Sequence, residues 1–176
     1  EREQRWVLEA SESARAHGLD TQLDYRQGVV EQLPFPDNSF DMATCQTVLM
    51  HVADVPSVVR EMQRVVKPGG LIAVAEPNNR ATTLVHSNLD NAVSVAELVE
   101  RVEFMLVCER GKIAEGEGNL SIGDLIPGMF RQCGLADVQT WLSDKASPLV
   151  PPYDTPAQQA LIAELTDMPI ELYWWD

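Results

Sequence analysis

The spacing of apolar and polar positions divides the first part of the chain into alternating helices and strands. Residues 3–17 are mostly good helix formers, and Gly18 provides a natural stop. Residues 21–27 alternate in polarity and predict a short strand that ends at Gly28. After a loop with two prolines, residues 40–45 predict a second strand.

A further helix and strand continue this alternation. Asp54 is a favourable N-cap residue, and Pro56 is tolerated in the first helical turn. Residues 67–70 (Lys-Pro-Gly-Gly) end the helix, and residues 71–75 form a continuous apolar run typical of a strand covered on both faces. The buried stripe predicted for the helix consists of Val58, Met62, Val65 and Val66. Alternation of this kind predicts an α/β fold with parallel strands.

The next segment is irregular and then helical. Residues 78–91 are polar without a clear period, and a long amphipathic helix follows for which Gly111 is the expected stop. The apolar face predicted for this helix is formed by Val95, Leu98, Val99, Val102 and Leu106.

Three more elements are predicted towards the end of the chain. Residues 122–133 carry apolar side chains at helical spacing, and Pro127 either kinks this helix or marks its true start. Residues 136–143 predict a strand, and Thr155 is expected to cap a last helix.

The charge balance argues against nucleic acid as a partner or substrate. Thirteen basic residues stand against twenty-seven acidic ones, for a formal net charge of −14. Such a field repels phosphate backbones, and the basic residues form no local patch.

The cysteines and histidines predict neither a disulfide framework nor a metal site. Three widely spaced cysteines and three histidines that do not cluster with carboxylates give no metal-ligand spacing. No apolar run is long enough to span a bilayer, and the first residues lack a signal-peptide layout, so we expect a cytoplasmic protein without membrane contact.

Four sequence segments, in one order and at consistent spacings, resemble the class I S-adenosylmethionine-dependent methyltransferase family, in its small-molecule, methyltransferase type 11-like branch. They are residues 28–41, 45–52, 64–70 and 75–77. The resemblance implies a partial Rossmann-like fold, with a mostly parallel sheet, flanking helices and a helical substrate-covering insertion. One domain over residues 1–176 would then contain that insertion at residues 78–120.

The resemblance also implies S-adenosylmethionine as cofactor, a small-molecule acceptor and a set of site residues. In the family, residues after the third strand line the adenine end of the cofactor, and residues after the fourth lie against its methionine portion. The positions that correspond to these cofactor-binding residues are Gly28, Val29, Val30, Glu31, Cys45 and Gln46. The carboxyl ends of parallel strands form the crevice in which such ligands bind.

His51 and Glu76 are the candidate catalytic residues, and each has a structural alternative. His51 corresponds to a position near the substrate entrance, where an imidazole could act as a general base, or it could pack beneath the following loop. Glu76 follows an apolar strand and could face the crevice or cap a loop amide.

The sequence departs from the family pattern in two ways. The glycine-rich turn and the acidic residue that holds the ribose are expected before residue 1, and Val29 stands where an acidic residue usually accepts the adenine amino group. In this family, the two strands belonging to that missing segment lie in the middle of the sheet. We therefore expect a homodimer or strand exchange with another chain, because an unpaired sheet edge invites pairing.

Two functions remain open on the sequence alone. The first is transfer of a methyl group from S-adenosylmethionine to a small molecule. The second is a non-catalytic remnant or interaction module of the same fold that pairs with another chain.

Overall fold

A computed structural model describes residues 1–80, 93–142, 154–156 and 158–159. The chain divides into two compact units, residues 1–139 and residues 140–176. Most of the second unit lies outside the described residues, so the prediction of a single domain over the whole chain stays a prediction. The helices and strands of the first unit are α1 (Gln4–Ala16), β1 (Phe40–Gln46), α2 (Val55–Val65), β2 (Val66–Ala75), α3 (Val95–Ala114) and α4 (Ile126–Gln132), with 3₁₀ turns at Leu49–His51 and Ile122–Asp124.

A β1–α2–β2 unit forms the centre of the first unit and confirms the predicted parallel α/β arrangement. β1 and β2 pair in parallel, with Ala43 opposite Ile72 and Gln46 opposite Ala75. Helix α2 begins as predicted, because the Asp54 carboxylate accepts a hydrogen bond from the Ser57 amide at 3.1 Å.

β2 begins earlier than the apolar run predicts. Phe40 pairs with Val66 and Met42 with Leu71, so residues 67–70 bulge out of the ladder instead of ending the preceding helix. A Cβ at Gly70 would lie 2.6 Å from the Asp41 carbonyl oxygen, which explains why only glycine fits this crossing. The apolar pattern of residues 71–75 did not reveal that Val66 also pairs with β1.

The strand predicted over residues 21–27 is wrong. This segment is irregular, and the nearest bridge is an isolated antiparallel one between Val29 and Gln32. A strand needs a neighbour to complete its ladder, and among the described residues β1 and β2 pair only with each other. The strand predicted over residues 136–143 is likewise absent from the described residues 136–142, for the same reason.

The hydrophobic core lies between the sheet, α2 and α4. Of the predicted helix stripe, Val58, Met62 and Val65 are buried on α2 together with Val59, whereas the buried Val66 belongs to β2 and not to the helix. Helix α4 starts at Ile126 with Pro127 in its first turn, which confirms the second of the two alternatives for that proline. The main core cluster consists of Leu49, Val52, Val55, Val58, Val59, Met62, Ile122, Ile126 and Phe130.

Helix α3 differs from its prediction in both end and face. It continues through Gly111 to Ala114 and is followed by Gly116 at φ +76°. Val95 and Val99, on the predicted apolar face, are exposed, whereas Met105 and Glu109 are buried. A single interior glycine costs only about 1 kcal/mol, so it does not by itself end a helix that packs elsewhere.

Two further predictions fall partly outside the described residues. Of the irregular segment predicted over residues 78–91, residues 81–91 lie outside them. The Thr155 cap is present, since its hydroxyl oxygen accepts from the Gln158 amide at 3.3 Å; beyond residue 159 the predicted helix is not described.

Candidate active site

The carboxyl ends of β1 and β2 lie side by side, as the crevice of a parallel sheet requires. Gln46 pairs with Ala75, and the Thr47 amide donates to the Ala75 carbonyl at 3.0 Å. Thr47 then takes a left-handed conformation at φ +51°, which turns the chain away from the sheet. The segment that carries His51 therefore begins directly at the strand ends.

Glu76 holds this segment in place. Its carboxylate accepts hydrogen bonds from the amides of Val48 and Leu49, both at 2.9 Å, and from the Met50 amide at 3.2 Å. These amides open the 3₁₀ turn at Leu49–His51, where no preceding helix supplies acceptors. The structure thus shows the loop-capping arrangement for Glu76, and its catalytic role stays a prediction.

His51 ends the same turn and meets a residue that the motif did not include. Its Nδ1 lies 3.4 Å from Nζ of Lys112, which belongs to the last turns of α3. Partial desolvation and the Lys112 ammonium lower the pKa of His51, and the Glu76 carboxylate opposes this shift. The imidazole is therefore mainly neutral near pH 7.

The turn after α3 packs directly on the His51 segment. Gly118 has φ +96°, and a Cβ there would lie 2.8 Å from the backbone carbon of His51 and from the Val52 nitrogen. Only glycine allows this approach. In the sequence, Gly118 resembled an ordinary loop glycine, because no local pattern reveals a contact across more than sixty residues.

Cys45 and Gln46 occupy the end of β1 but differ in environment. The Cys45 side chain is half-buried and packs against the core cluster, whereas Gln46 is exposed. Burial, with a smaller effect of Glu76, raises the pKa of the Cys45 thiol to about 11. The thiol is therefore protonated at neutral pH and is not a ready nucleophile.

The predicted adenine-binding segment borders a separate cavity beside α1. Gly28, Val29 and Val30 line this cavity of about 750 Å³ together with α1. Leu33, Pro34 and Phe35 add further apolar surface to its wall. Of the other predicted cofactor residues, Glu31 is exposed, and Glu31, Cys45 and Gln46 lie outside the lining.

Gly28 is required by the fold of its own loop. A Cβ at this position would lie 2.8 Å from Cδ of Pro34, so a larger residue would push the loop open. Its amide donates to the Glu1 carbonyl at 2.8 Å. The need for glycine here follows from this close approach and not from a ligand.

Arg64 of α2 anchors the loop that forms the cavity wall. Its guanidinium donates to the carbonyl oxygens of Phe35 at 2.9 Å and Leu33 at 3.2 Å, and to the Asp37 carboxylate at 2.7 Å. The Glu61 carboxylate accepts from the Leu33 amide at 2.8 Å. Two polar side chains of α2 thus position the loop.

The use of this cavity by the adenine end of S-adenosylmethionine stays a prediction, and its lining agrees with it only in part. Its size and its apolar walls suit a heteroaromatic ring. Val29, 43% exposed at the rim, supplies no acceptor for an amino group. Among the acidic residues that line the cavity, Asp24 is already paired with Arg26 at 2.8 Å.

Neither a metal cluster nor a membrane-spanning helix is found in the described part of the chain. No three side chains of His, Cys, Asp or Glu come together there as metal ligands. None of its helices is long and apolar enough to cross a bilayer.

Comparison with known sequences gives a family match for the first part of the chain. The family described as "Methyltransferase domain" matches residues 4–74. The ubiquinone/menaquinone biosynthesis C-methyltransferase UbiE of Hahella chejuensis is 39% identical over 74 residues, which cover 42% of this chain and 30% of that protein. The 2-phytyl-1,4-naphtoquinone methyltransferase of Synechococcus elongatus is 38% identical over 76 residues, 43% of this chain and 33% of its own length. The chain therefore spans about a third of these curated relatives.

A solved structure extends the similarity to the fold. The YcgJ protein of Bacillus subtilis matches with a TM-score of 0.52 and 28% identity, over 80% of this chain and 53% of that one. The sequence of YcgJ, described as an uncharacterized methyltransferase, is 44% identical over 61 residues, 35% of this chain and 24% of its own. Residues 4–74, which build most of the Rossmann-like β1–α2–β2 unit, are thus similar to the methyltransferase domain in sequence and in fold.

Proposed function

We propose that this chain takes part in methyl transfer from S-adenosylmethionine to a small-molecule acceptor. The observation that carries the proposal is the match over residues 4–74, which includes both the cavity segment and the adjoining ends of β1 and β2. The site residues of the family fall at two places in the first unit, one for the adenine end and one at the strand ends.

The proposed roles follow these two places. Gly28, Val29 and Val30 contact the adenine ring within the cavity, and Glu31 lies at its exposed side. Cys45 and Gln46 lie beside the methionine portion through their backbone, because the Cys45 thiol is turned to the core. Glu76 supports the strand-end turn through its three amide contacts, and it places His51 towards the acceptor.

The chemistry asks little of the protein beyond alignment. The sulfonium already activates its methyl group, so the site must place nucleophile, methyl carbon and sulfur in line and exclude water. One named relative is a ubiquinone/menaquinone biosynthesis C-methyltransferase and the other is a 2-phytyl-1,4-naphtoquinone methyltransferase, and we extend only a small molecule as the class of acceptor to this chain. The net charge of −14 supports a small molecule over nucleic acid.

Calorimetric titration of the purified chain with S-adenosylmethionine and S-adenosylhomocysteine tests the proposal. Saturable binding at one site per chain or per dimer, with a micromolar dissociation constant, is the expected result. No heat at millimolar ligand would overturn the proposal for this chain and would favour the interaction-module alternative.

A pairing role has one specific observation in its favour. Met42 and Leu71 face each other across the sheet and are 52% and 57% exposed, although strands of a Rossmann-like sheet are normally covered. We propose that a second copy covers them, as a homodimer or by strand exchange, in the cytoplasm. Light scattering over a range of concentrations tests this, and cell fractionation tests the location. A strict monomer at high concentration, unchanged by Met42→Glu, would contradict pairing.

A further inference from the structure

The end of α3 and the turn after β1 bring two nitrogen-bearing side chains together at the strand ends. Nζ of Lys112 lies 3.4 Å from Nδ1 of His51, and the two residues are sixty-one positions apart in sequence. Neither the family motifs nor the cavity at residues 28–35 includes Lys112.

With Lys112 as an ammonium and His51 neutral, one arrangement of protons makes this contact a hydrogen bond. A lysine ammonium has three donors and no acceptor, so the ring nitrogen that faces it must offer its lone pair. Neutral His51 then carries its proton on Nε2 and presents an N–H donor on its other side. In this arrangement the imidazole cannot take a proton at Nε2, which argues against the general-base role.

We propose that His51 and Lys112 form a binding site for an anionic oxygen of the methyl acceptor, such as a phenolate or enolate. The Nε2–H of His51 and the remaining N–H groups of Lys112 supply donors, and the ammonium supplies the charge. This inference rests on the proposed methyl transfer, because it names the acceptor class for that site.

The side chains of Lys112 and His51 meet at the surface, but the fold fixes the backbone positions from which they extend. Glu109 lies one turn before Lys112 on α3, is fully buried, and accepts hydrogen bonds from the Ser121 hydroxyl and from Nε of Arg80 at 2.5 Å. The Arg80 amide in turn donates to the Ser121 hydroxyl oxygen at 2.9 Å. This network fixes α3 against the segment that follows Glu76.

The turn after α3 provides the second fixed point. Gly118 packs against the backbone of His51 and Val52, so the end of the helix cannot move away from the 3₁₀ turn without opening this contact. The backbones that carry Lys112 and His51 are thus fixed relative to each other at two places.

The charges around the pair favour an anion at this position over the rest of the surface. The charged groups that act on His51 are Lys112 from α3 and Glu76 from the end of β2. The Glu76 carboxylate keeps its charge and is directed at three backbone amides, whereas the Lys112 ammonium lies 3.4 Å from the imidazole nitrogen. The net charge of −14 repels anions from most of the surface. An anionic group of the acceptor is therefore expected to bind beside a local cation such as Lys112.

The first test is a pH titration of the ¹⁵N-histidine-labelled chain by NMR, with the His51 signal assigned by His51→Gln. Lys112→Met is expected to raise the pKa of His51, and Lys112→Arg is expected to keep it low, because the cation and the donor remain. Arg110→Met is the matched control, since Arg110 is an exposed cation two positions earlier on α3. A His51 pKa that does not move in Lys112→Met, or that moves equally in Arg110→Met, would overturn the proposal.

The second test uses para-nitrophenolate as the probe, at a pH where it is ionised, with para-nitroanisole as the neutral analogue. The phenolate is expected to shift the His51 Nε2 resonance, and Lys112→Met is expected to weaken its binding by about fivefold or more, as the loss of one charge at close range predicts. Equal binding of the anisole, or unchanged binding in Lys112→Met, would overturn the anion site.

Neither test requires bound S-adenosylmethionine or turnover. Failure of the calorimetric titration together with a shifted His51 pKa and selective phenolate binding would remove the methyl-transfer function and leave the anion site. Binding of S-adenosylmethionine together with an unchanged His51 pKa and no selective phenolate binding would overturn the anion site alone.

Discussion

Arg64 and Glu61 form a two-point ion pair on α2, with Nε to Oε2 at 2.8 Å and Nη2 to Oε1 at 2.6 Å. The Glu61 oxygen also accepts from the Leu33 amide, and the remaining Arg64 donors reach the same loop. The hydrogen bond from Arg64 lowers the pKa of Glu61. The planar guanidinium of arginine has several N–H donors in fixed directions and can bind all of these acceptors at once, whereas the ammonium of a lysine cannot.

Arg64→Lys is therefore expected to loosen the loop at residues 33–37. The charge is kept, but the ammonium cannot reach the Glu61, Asp37 and carbonyl acceptors together. Hydrogen exchange of the Leu33 amide should become faster, and cofactor binding should weaken if the loop covers adenine. Arg60→Lys is the control, because Arg60 makes one 3.3 Å contact with the Ser57 hydroxyl on the same helix. Equal exchange of Leu33 in wild type and Arg64→Lys would contradict this account.

Val29→Asp is expected to tighten S-adenosylmethionine binding. The new carboxylate at the cavity rim could accept one hydrogen bond from the adenine amino group, a gain on the order of 1 kcal/mol. Calorimetry measures the gain directly. Leu23→Asp is the matched control, since Leu23 is also 43% exposed but does not line the cavity. If the two variants bind alike, the adenine ring does not contact residue 29.

Gly118→Ala is expected to destabilise the first unit more than Gly116→Ala. Both glycines have positive φ values, which cost an alanine about 1–2 kcal/mol. Only at Gly118 does the new Cβ also collide with the His51 and Val52 backbone, while Gly116 faces open space. Chemical denaturation measures the two losses, and equal losses would mean that the 116–119 turn does not rest on the 3₁₀ turn.

Stability is expected to depend on pH through His51. Because the pKa of folded His51 lies below the ordinary histidine value near 6.5, the unfolded chain binds more protons between these two pKa values. The free energy of unfolding should therefore fall as the pH decreases below about 6.5 towards the folded pKa. His51→Gln should flatten the curve in this window, and Lys112→Met should reduce its slope.

The carboxylates affect stability at lower pH than His51 does, so the two contributions can be measured separately. The pKa values of Glu61, Asp41 and Asp54 are lowered by their hydrogen-bonding partners, so their contributions are lost only when the pH falls below the ordinary carboxyl range. The free energy of unfolding is compared between about pH 6.5 and about pH 5. The same dependence on pH in wild type and His51→Gln would contradict the role given to His51.

Local patterns in the sequence determined the centre of the fold. The Asp54 cap and most of the α2 stripe were predicted from a few neighbouring residues, and the helix start at Pro127 was one of two alternatives, because capping, amphipathic spacing and proline geometry act within one or two turns. The motifs over residues 28–77 likewise predicted the similarity to methyltransferases, and the site residues that they indicate stay a prediction.

The tertiary structure decided everything that depends on partners distant in sequence. Residues 21–27 alternate like a strand and yet remain irregular, because a ladder needs a neighbouring strand. The residues around Arg64 do not reveal that it binds the loop at residues 33–37. The residues around Gly118 do not reveal that it packs against the 3₁₀ turn. The pairing of His51 with Lys112 follows from the packing of α3, which no local pattern records. Sequence alone thus determined the local elements, since these follow from short-range physics, and the tertiary contacts determined which side chains meet at the strand ends.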